Sequence, residues 1–351
     1  MSIERIEIAP GFSISRIIKG GWQLSQGHSS NNTRTAIEDM FTFVDKGITT
    51  FDCADIYTGV EELIGGFLKQ HRKQNHPTPI QVLTKFVPDY DALTSLKKNY
   101  VEKVIDRSLQ RLNVEQLDMV QFSWWDYKIE RWVEVAQWLN ELRLAGKIKF
   151  ISGTNFNTES TKTMVDAGIP LTTLQVQYSL LDNRPENALA VLCKQHNIQL
   201  LCYGTVAGGF LSERWLNVTE PQPPFENRSL VKYKLMIDEF GGWNLFQQLL
   251  QTLKLISEKH QVSITNIATR YLIEKPQVGG VIIGTRHAQY LDENRKTFGL
   301  QLTASNKDAI EKILHQRKGP AGDVFDLERI KDGPHGSIMR YNLNQVDVQC
   351  A

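Results

Sequence analysis

The sequence predicts an α/β protein, a (β/α)8 TIM barrel with a long loop after strand 7 and a C-terminal extension. Three observations predict this fold: eight short apolar segments recur along the 351 residues, helical patterns separate them, and a GxGxxG fingerprint is absent. Segments that are apolar on both faces are typical of parallel strands covered by helices. A doubly wound open sheet is the competing fold. The missing fingerprint favours the closed barrel.

The eight predicted strands lie in segments of six to eight residues that are rich in Val, Ile, Leu and Phe. They are RIIKGGW from Arg16, ITTFDC from Ile48, IQVLTKF from Ile80, LDMVQF from Leu117, IKFISG from Ile148, LTTLQVQY from Leu171, IQLLCYG from Ile198 and VGGVIIG from Val278. Parallel neighbours need a crossover between them, so each strand should be followed by a helix.

Helical spacing of apolar residues is clearest in two of the intervening segments. One stripe contains Ile129, Trp132, Val133, Ala136, Leu139 and Leu142; the other contains Val101, Val104, Ile105, Leu109 and Leu112. Gly146 follows the first stripe at the place of a C-terminal helix cap. These patterns predict amphipathic helices that cover the barrel.

Two segments depart from a minimal barrel. Residues 212–244 contain PQPPF and predict a long loop, and helical spacing resumes at Phe246. After Lys318 the periodicity fades among several glycines, which divides the chain into one barrel domain, residues 1–318, and a tail, residues 319–351. Loops of this length are typical of lids and pocket walls. Partial disorder after Ile338 is the alternative for the tail.

Composition and charge narrow the class of protein. Forty Lys and Arg residues balance 39 Asp and Glu residues, so no global field favours nucleic acid or an anionic membrane, and a small molecule is the expected partner. The four cysteines form no CxxC pair and no metal-ligand pattern, which predicts reduced thiols, a cytoplasmic location and no metal. The charged N-terminus argues against a signal peptide. The sequence gives no indication of the oligomeric state.

Polar residues follow several predicted strands, at the end of a barrel where active sites collect. Asp52 and Lys85 end the second and third strands, and Tyr57 lies five residues after Asp52. A buried ion pair would explain Asp52 and Lys85 structurally. With Tyr57 beside them, a chemical role is equally consistent, because a nearby cation lowers the pKa of a phenol that serves as an acid.

These residues lie in motifs that resemble the aldo-keto reductase superfamily. The motifs are GITTFDCADIYTGVEELIGGFL from Gly47, LTKF around Lys85, LDMVQFSWWDY from Leu117, ISGTNF from Ile151, LQVQYS from Leu174, LLCYGTVAGGFLS from Leu200 and VIIGTRHAQYLDEN from Val281. They run in the family's order over residues 14–318. The resemblance implies a barrel enzyme that moves a hydride between a nicotinamide cofactor and a carbonyl group.

The resemblance also implies roles for four catalytic positions. Asp52 would pair with Lys85, Lys85 would tune Tyr57, and Tyr57 would donate the proton to the carbonyl oxygen. The fourth position holds Ser123, where family members usually have histidine, in a branch that otherwise reads QFHWWDY. A serine reaches less far than an imidazole and does not titrate near neutrality. His28, in the loop after the first strand, is the candidate to replace that imidazole.

The remaining implied residues bind the cofactor, which the resemblance identifies as NADP(H). Thr154, Asn155 and Gln175 would bind the nicotinamide carboxamide, and Tyr203 would stack on its ring. Gly284, Thr285, Arg286, Glu293 and Asn294 match the segment for the phosphate and adenine, and Thr285 and Arg286 favour NADP over NAD. Trp22 is also expected among the cofactor-binding residues. It and Trp124 and Trp125 are expected to form pocket walls.

The sequence therefore predicts an NADP-dependent oxidoreductase of aldo-keto reductase type that acts on a small-molecule carbonyl. Ser123 keeps two alternatives open. One is a regulatory protein that binds NADPH without turnover. The other is a reductase of a C=C or C=N bond, since the space left by the histidine suits a differently placed substrate.

Overall fold

The structure is a computed structural model that describes residues 2–25, 33–284 and 288–344. Eight parallel strands close into a barrel in chain order, and the last strand pairs with the first. They are β3 Ile17–Gly20, β4 Thr50–Asp52, β5 Gln81–Phe86, β6 Leu117–Phe122, β7 Ile148–Thr154, β8 Leu171–Gln177, β9 Gln199–Tyr203 and β10 Val278–Ile283. The predicted (β/α)8 barrel is confirmed, and each strand overlaps one of the eight predicted segments.

Helices follow the barrel strands as the parallel order requires. They are α1 Thr33–Asp45, α2 Val60–Lys73, α3 Lys98–Leu112, α4 Trp132–Leu144, α5 Thr158–Asp166, α6 Ala188–Gln195, α7 Arg228–Phe240, α8 Trp243–His260, α9 Ile264–Ile273, α10 Leu291–Arg295, α11 Ala304–Leu314 and α12 Asp326–Arg329. The two predicted stripes correspond to α3 and α4, although Ile129 precedes α4. Gly146 closes α4 with a φ of +84°, a backbone region that suits glycine.

An antiparallel hairpin of β1 (Arg5–Ala9) and β2 (Phe12–Ser15) precedes the barrel, and the sequence pattern did not predict it. Its apolar side chains pack with barrel residues that face the lumen. This cluster consists of Ile8, Phe12 and Ile14 of the hairpin with Ile18, Leu83, Met119 and Leu201 of the barrel strands. The hairpin thus fills the amino-terminal end of the barrel with apolar atoms, which leaves the carboxyl end for polar side chains.

The long connection after the seventh barrel strand β9 is present, but it is not loop throughout. Helix α7 occupies its second half and buries Leu230, Tyr233, Met236, Ile237 and Phe240. Helix α8 then begins at Trp243, three residues before the predicted Phe246. The connection therefore brings a helix to the carboxyl end of the barrel.

The tail packs against this same end of the barrel. Val324, Phe325, Glu328, His335 and Asn344 are buried, and the carbonyl oxygen of Tyr341 accepts a hydrogen bond from the backbone of Tyr90 at 2.9 Å. The alternative of disorder after Ile338 does not describe residues 339–344. The boundary between barrel and tail at residue 318 stays a prediction.

Two further features concern the environment of the chain. Cys53, Cys193 and Cys202 are buried with free thiols, and Cys350 lies outside the described residues. Among the helices of the described ranges, none has the length and apolar character needed to cross a membrane.

Candidate active site

A cluster of four buried polar side chains lies inside the barrel near its carboxyl end. Asp52 accepts hydrogen bonds from Nζ of Lys85 at 2.7 and 2.8 Å, from Nε2 of Gln121 at 2.8 Å and from Nε2 of Gln175 at 2.6 Å. Nε2 of Gln175 also contacts Oε1 of Gln121 at 2.9 Å. Each partner of the buried carboxylate is a donor, as a charge in the interior requires.

The lysine of this cluster is held in its charged form. The side chains of Lys85 and Asp52 are each 5% exposed. Burial is the largest single effect and lowers the pKa of Lys85, but the effects of Asp52, Tyr57 and Cys53 together outweigh it and raise the pKa above 10.5. The predicted ion pair between these strand ends is therefore present.

Tyr57 lies above this pair, in the loop between β4 and α2. Nζ of Lys85 is 5.2 Å from the centroid of the Tyr57 ring, and the Trp22 ring meets it edge-on with 5.0 Å between centroids. Burial raises the pKa of Tyr57 above 10.0, and Lys85 is the first cause that opposes this rise. The sequence predicted the lowering of the Tyr57 pKa by Lys85 but not the larger, opposite effect of burial. In the ligand-free protein the phenol is protonated at neutral pH.

Gly21 allows the first strand to approach this site closely. Its backbone N–H donates to the carbonyl oxygen of Asp52 at 2.8 Å, and a Cβ atom at Gly21 would lie 2.7 Å from that oxygen. A side chain there would push apart the strand ends that carry Trp22 and Asp52. The absence of a side chain at Gly21 therefore permits the close approach that brings the Trp22 ring to Tyr57.

Ser123 directly follows β6 and is 5% exposed. Its backbone N–H donates to the carbonyl oxygen of Phe86 at 3.0 Å, which keeps it level with the end of β5. Gln121, two residues earlier, points into the lumen, and alternate strand residues share a face. Ser123 therefore extends the lumen-facing row toward the mouth. His28 lies outside the described residues.

The two tryptophans after Ser123 have different surroundings. Nε1 of Trp124 donates to the carbonyl oxygens of Asp126 and Ile129 at 3.0 and 3.1 Å, and its ring is buried. Nε1 of Trp125 donates to Pro88 O at 2.8 Å, and its ring meets the tail residue Tyr341 edge-on. Trp125 is thus part of the contact between the barrel and the tail.

Two residues expected at the nicotinamide meet each other. The hydroxyl of Tyr203, the last residue of β9, donates to Oδ1 of Asn155 at 2.8 Å. Asn155 follows β7 with a left-handed φ of +61°, directly after the buried Thr154. Gln175 directs its amide nitrogen to Asp52 rather than to this pair. The backbone N–H of Asn155 donates to the carbonyl oxygen of Gln175 at 2.9 Å, so the four residues lie at neighbouring strand ends and only the side chain of Gln175 is directed elsewhere.

The residues expected at the adenosine end are only partly described. Gly284 follows β10, and a Cβ atom there would collide with the side-chain amide of Gln23. Thr285 and Arg286 lie outside the described residues. Glu293 and Asn294 belong to α10, where Oε2 of Glu293 pairs with Nζ of Lys296 at 2.7 Å.

Several residues at the mouth were not foreseen from the sequence. Gln121 was detectable, because an amide in an otherwise apolar strand calls for an internal partner. The tail residue Glu328 forms a buried ion cluster with Arg184 and Asp182, at Nη1–Oε2 3.1 Å and Nη2–Oδ2 2.7 Å. Lys232 of α7 lies above Tyr203, and Arg329 of the tail contacts the backbone of Asn155. No local pattern marks these long-range contacts.

Two buried polar atoms of the described residues lie near the strand ends without a hydrogen-bond partner. Within the described ranges, Oγ1 of Thr205 and Oε1 of Gln23 are buried without a hydrogen-bond partner. Such atoms are costly unless a ligand or water satisfies them. Gly204 precedes Thr205 with a φ of +72°, and a Cβ atom there would collide with the hydroxyl of Tyr233. The Thr205 hydroxyl can donate to a phosphate oxygen and the Gln23 amide oxygen can accept from a ribose hydroxyl, so the two atoms are compatible with a dinucleotide such as the predicted cofactor.

Comparison with known proteins gives one consistent family. The model of the aldo/keto reductase family matches residues 16–315. Aldo-keto reductase YhdN of Bacillus subtilis (strain 168) is 26% identical over 324 residues, which cover 90% of this chain and 95% of that protein. A Schizosaccharomyces pombe aldo-keto reductase, yakc, whose name specifies NADP(+), is 24% identical over 290 residues, 78% of this chain and 80% of that protein.

The fold agrees with a solved structure as well. The glycerol dehydrogenase of Gluconobacter oxydans aligns with a TM-score of 0.76 and 24% identity, over 92% of this chain and 98% of that one. This likeness supports the barrel architecture alone. Because the family model spans most of the chain, the protein belongs to the aldo/keto reductase family.

Proposed function

We propose that this protein is an NADP-dependent oxidoreductase that reduces the carbonyl group of a small molecule, with Tyr57 as the proton donor. The observation that carries the proposal is the stack of Asp52, Lys85 and Tyr57 at the carboxyl end of the barrel. Its three members come from two neighbouring strands and the loop that follows one of them. This is where barrel enzymes place their catalytic groups.

Tyr57 has the protonation state that a general acid needs. Burial raises its pKa, so the phenol keeps its proton across the neutral range. When the proton passes to a carbonyl oxygen, the phenolate left behind is stabilised by the Lys85 ammonium, which Asp52 keeps charged. Ser123 offers a second, weaker donor to the same oxygen.

The cofactor would be held along the strand ends. Asn155, Thr154 and Tyr203 would orient the nicotinamide, and Gln175 would join them by exchanging its bond to Asp52. Gly284, Thr285, Arg286, Glu293 and Asn294 would bind the adenosine end. Bound NADPH supplies the hydride. The preference for NADP rests on Thr285 and Arg286 and on the name of the relative yakc.

Two parts of the proposal concern the protein's setting. The partner is a small-molecule substrate, and no nucleic acid or membrane is proposed. The free, buried thiols of Cys53, Cys193 and Cys202 suit the reducing cytoplasm.

One observation favours a second function, which is NADPH binding without carbonyl turnover. Ser123 stands at the fourth catalytic position and cannot supply an imidazole. Fluorescence titration of NADPH, followed by a screen of aldehydes, ketones and enones for its oxidation, separates the functions. Oxidation by aldehydes or ketones supports the proposal, and oxidation by enones alone supports C=C reduction. Binding without oxidation by any compound supports the regulatory function.

A further inference from the structure

Helix α7 places an ammonium group among three aromatic rings at the barrel mouth. Nζ of Lys232 lies 5.0 Å from the ring centroid of Tyr203, 5.8 Å from that of Tyr233 and 5.7 Å from that of Phe325 in the tail. Cation–π contacts of this kind stabilise a cation without using its N–H donors. The three rings therefore position the ammonium while its N–H groups stay available for hydrogen bonds.

The neighbouring charged residues Asp182, Arg184 and Glu328 form ion pairs with one another. Arg184 binds both oxygens of Asp182, at 2.9 and 2.7 Å, and both oxygens of Glu328, at 3.1 and 3.2 Å. In the described part of the chain, Lys232 has no hydrogen bond or ion pair with them or with any other residue. Burial lowers the pKa of Lys232, and Glu328 acts against that effect from a distance.

A purely structural account leaves part of this arrangement unexplained. Asp182, Arg184 and Glu328 together carry one negative charge, which Lys232 balances at longer range. That balance leaves the three N–H donors of the ammonium without a protein acceptor in the described ranges, and because Lys232 is only half-buried, water can serve them. An anionic group that replaces this water would form charge-assisted hydrogen bonds with the ammonium.

We infer that Lys232 is a binding residue for an anionic oxygen group, a carboxylate or a phosphate, of a ligand that enters this mouth. Tyr203 places this anion site beside the proposed nicotinamide site, because its ring contacts the ammonium of Lys232 and its hydroxyl donates a hydrogen bond to Asn155. This inference rests on the proposed function and adds a charge requirement to it. The anion belongs either to the substrate, which is then a carboxylated carbonyl compound, or to the cofactor's phosphates.

Two binding measurements on the full chain test the inference and separate the two sources. The first is fluorescence titration of NADPH. The second is calorimetric binding of 4-formylbenzoate and of methyl 4-formylbenzoate to protein saturated with NADP+, which cannot reduce either aldehyde. The variants are Lys232→Met and Lys232→Gln. The matched control is Lys234→Met on the same helix, because Lys234 is already paired with Glu220 and Asp238.

A substrate anion predicts that wild type binds 4-formylbenzoate about tenfold more tightly than its methyl ester and that either Lys232 variant removes the difference. A cofactor anion predicts that the Lys232 variants weaken NADPH by about tenfold. Lys234→Met should change neither affinity. The inference is wrong if folded Lys232 variants match wild type in both titrations, or if Lys234→Met has the same effect.

Failure of the proposed function gives a different result. Wild type would then oxidise no NADPH with any carbonyl compound, while the affinities above would still be measurable. If wild type bound no NADPH, the 4-formylbenzoate comparison on nucleotide-free protein would still decide the role of Lys232.

Discussion

Nη2 of Arg329, in the tail, donates a hydrogen bond to the backbone carbonyl oxygen of Asn155 at 2.7 Å. The same nitrogen donates to the carbonyl oxygen of Trp124 at 3.0 Å, and the guanidinium carbon lies 4.2 Å from the centroid of the Tyr127 ring. Asn155 directly follows Thr154 and Trp124 directly follows Ser123. A single tail residue thus fixes the backbone after two strands that carry proposed site residues.

We expect Arg329→Gln to weaken NADPH binding by about tenfold, because a charge-assisted hydrogen bond contributes about 1.5 to 3 kcal/mol and Asn155 would lose its anchor. Thermal unfolding should show a modest loss of stability. The measurement is NADPH fluorescence titration beside a melting curve. Lys331→Gln is the matched control, since it removes a tail cation that packs on Tyr90 and Tyr341. A loss of stability with unchanged NADPH affinity would assign Arg329 a structural role only.

Tyr57→Phe keeps the ring and its contact with Trp22 while removing the hydroxyl. We expect NADPH affinity near that of wild type and a fall in carbonyl reduction of roughly 10²- to 10⁴-fold, the range for a lost general acid. Steady-state kinetics on a substrate from the aldehyde and ketone screen provide the measurement. Turnover at the parental rate would show that another group donates the proton.

The sequence was sufficient for the strands of the barrel and for the pair of Asp52 and Lys85. Those features are local, because apolar runs mark buried parallel strands and charges at their ends require partners. The hairpin β1–β2 has too few residues for its pattern to stand out. Lys232 and Arg329 acquire their roles only when α7 and the tail pack on the mouth, and sequence spacing carries no information about such long-range contacts.

Asp55 gives the protein a pH-dependent contact between the loop that carries Tyr57 and the tail. Its carboxylate accepts hydrogen bonds from the backbone of Val87 at 3.1 Å and from Nδ2 of Asn344 at 3.3 Å. Burial, followed by repulsion from Glu61, raises the pKa of Asp55 from 3.8 to about 7. Between those values the folded protein holds a proton that the unfolded chain has released.

The free energy of unfolding should therefore fall as pH rises from about 4 to about 7, by roughly 1.4 kcal/mol for each pKa unit of the difference, and this contribution should be constant above that range. Asp55→Asn removes this titration together with the repulsion between Asp55 and Glu61, and it should flatten the dependence. Urea unfolding of both proteins at pH 5 and pH 8 measures the difference. Parallel losses in the two proteins would exclude Asp55 as the source.

Ser123→His tests the serine at the fourth position of the proposed catalytic site. The segment from Leu117 to Tyr127 otherwise resembles the histidine-containing branch, and Ser123 extends the lumen-facing row that starts at Gln121. An imidazole there would aim a second donor at the carbonyl oxygen, and a preorganised donor to developing oxyanion charge contributes several kcal/mol. We therefore expect faster reduction of generic aldehydes such as nitrobenzaldehyde, with Ser123→Ala at or below the parental rate.

Ser123 is buried, so a larger side chain must displace its neighbours, and NADPH titration of the Ser123→His variant shows whether the site survives the change. With normal NADPH binding, the gain on generic aldehydes should appear in single-turnover rates at saturating cofactor. Suppose the variant binds NADPH normally, loses its native substrate and gains no generic aldehyde. Ser123 would then be a fitted part of a differently shaped pocket, and reduction of a C=C or C=N bond would replace simple carbonyl reduction as the reaction to test.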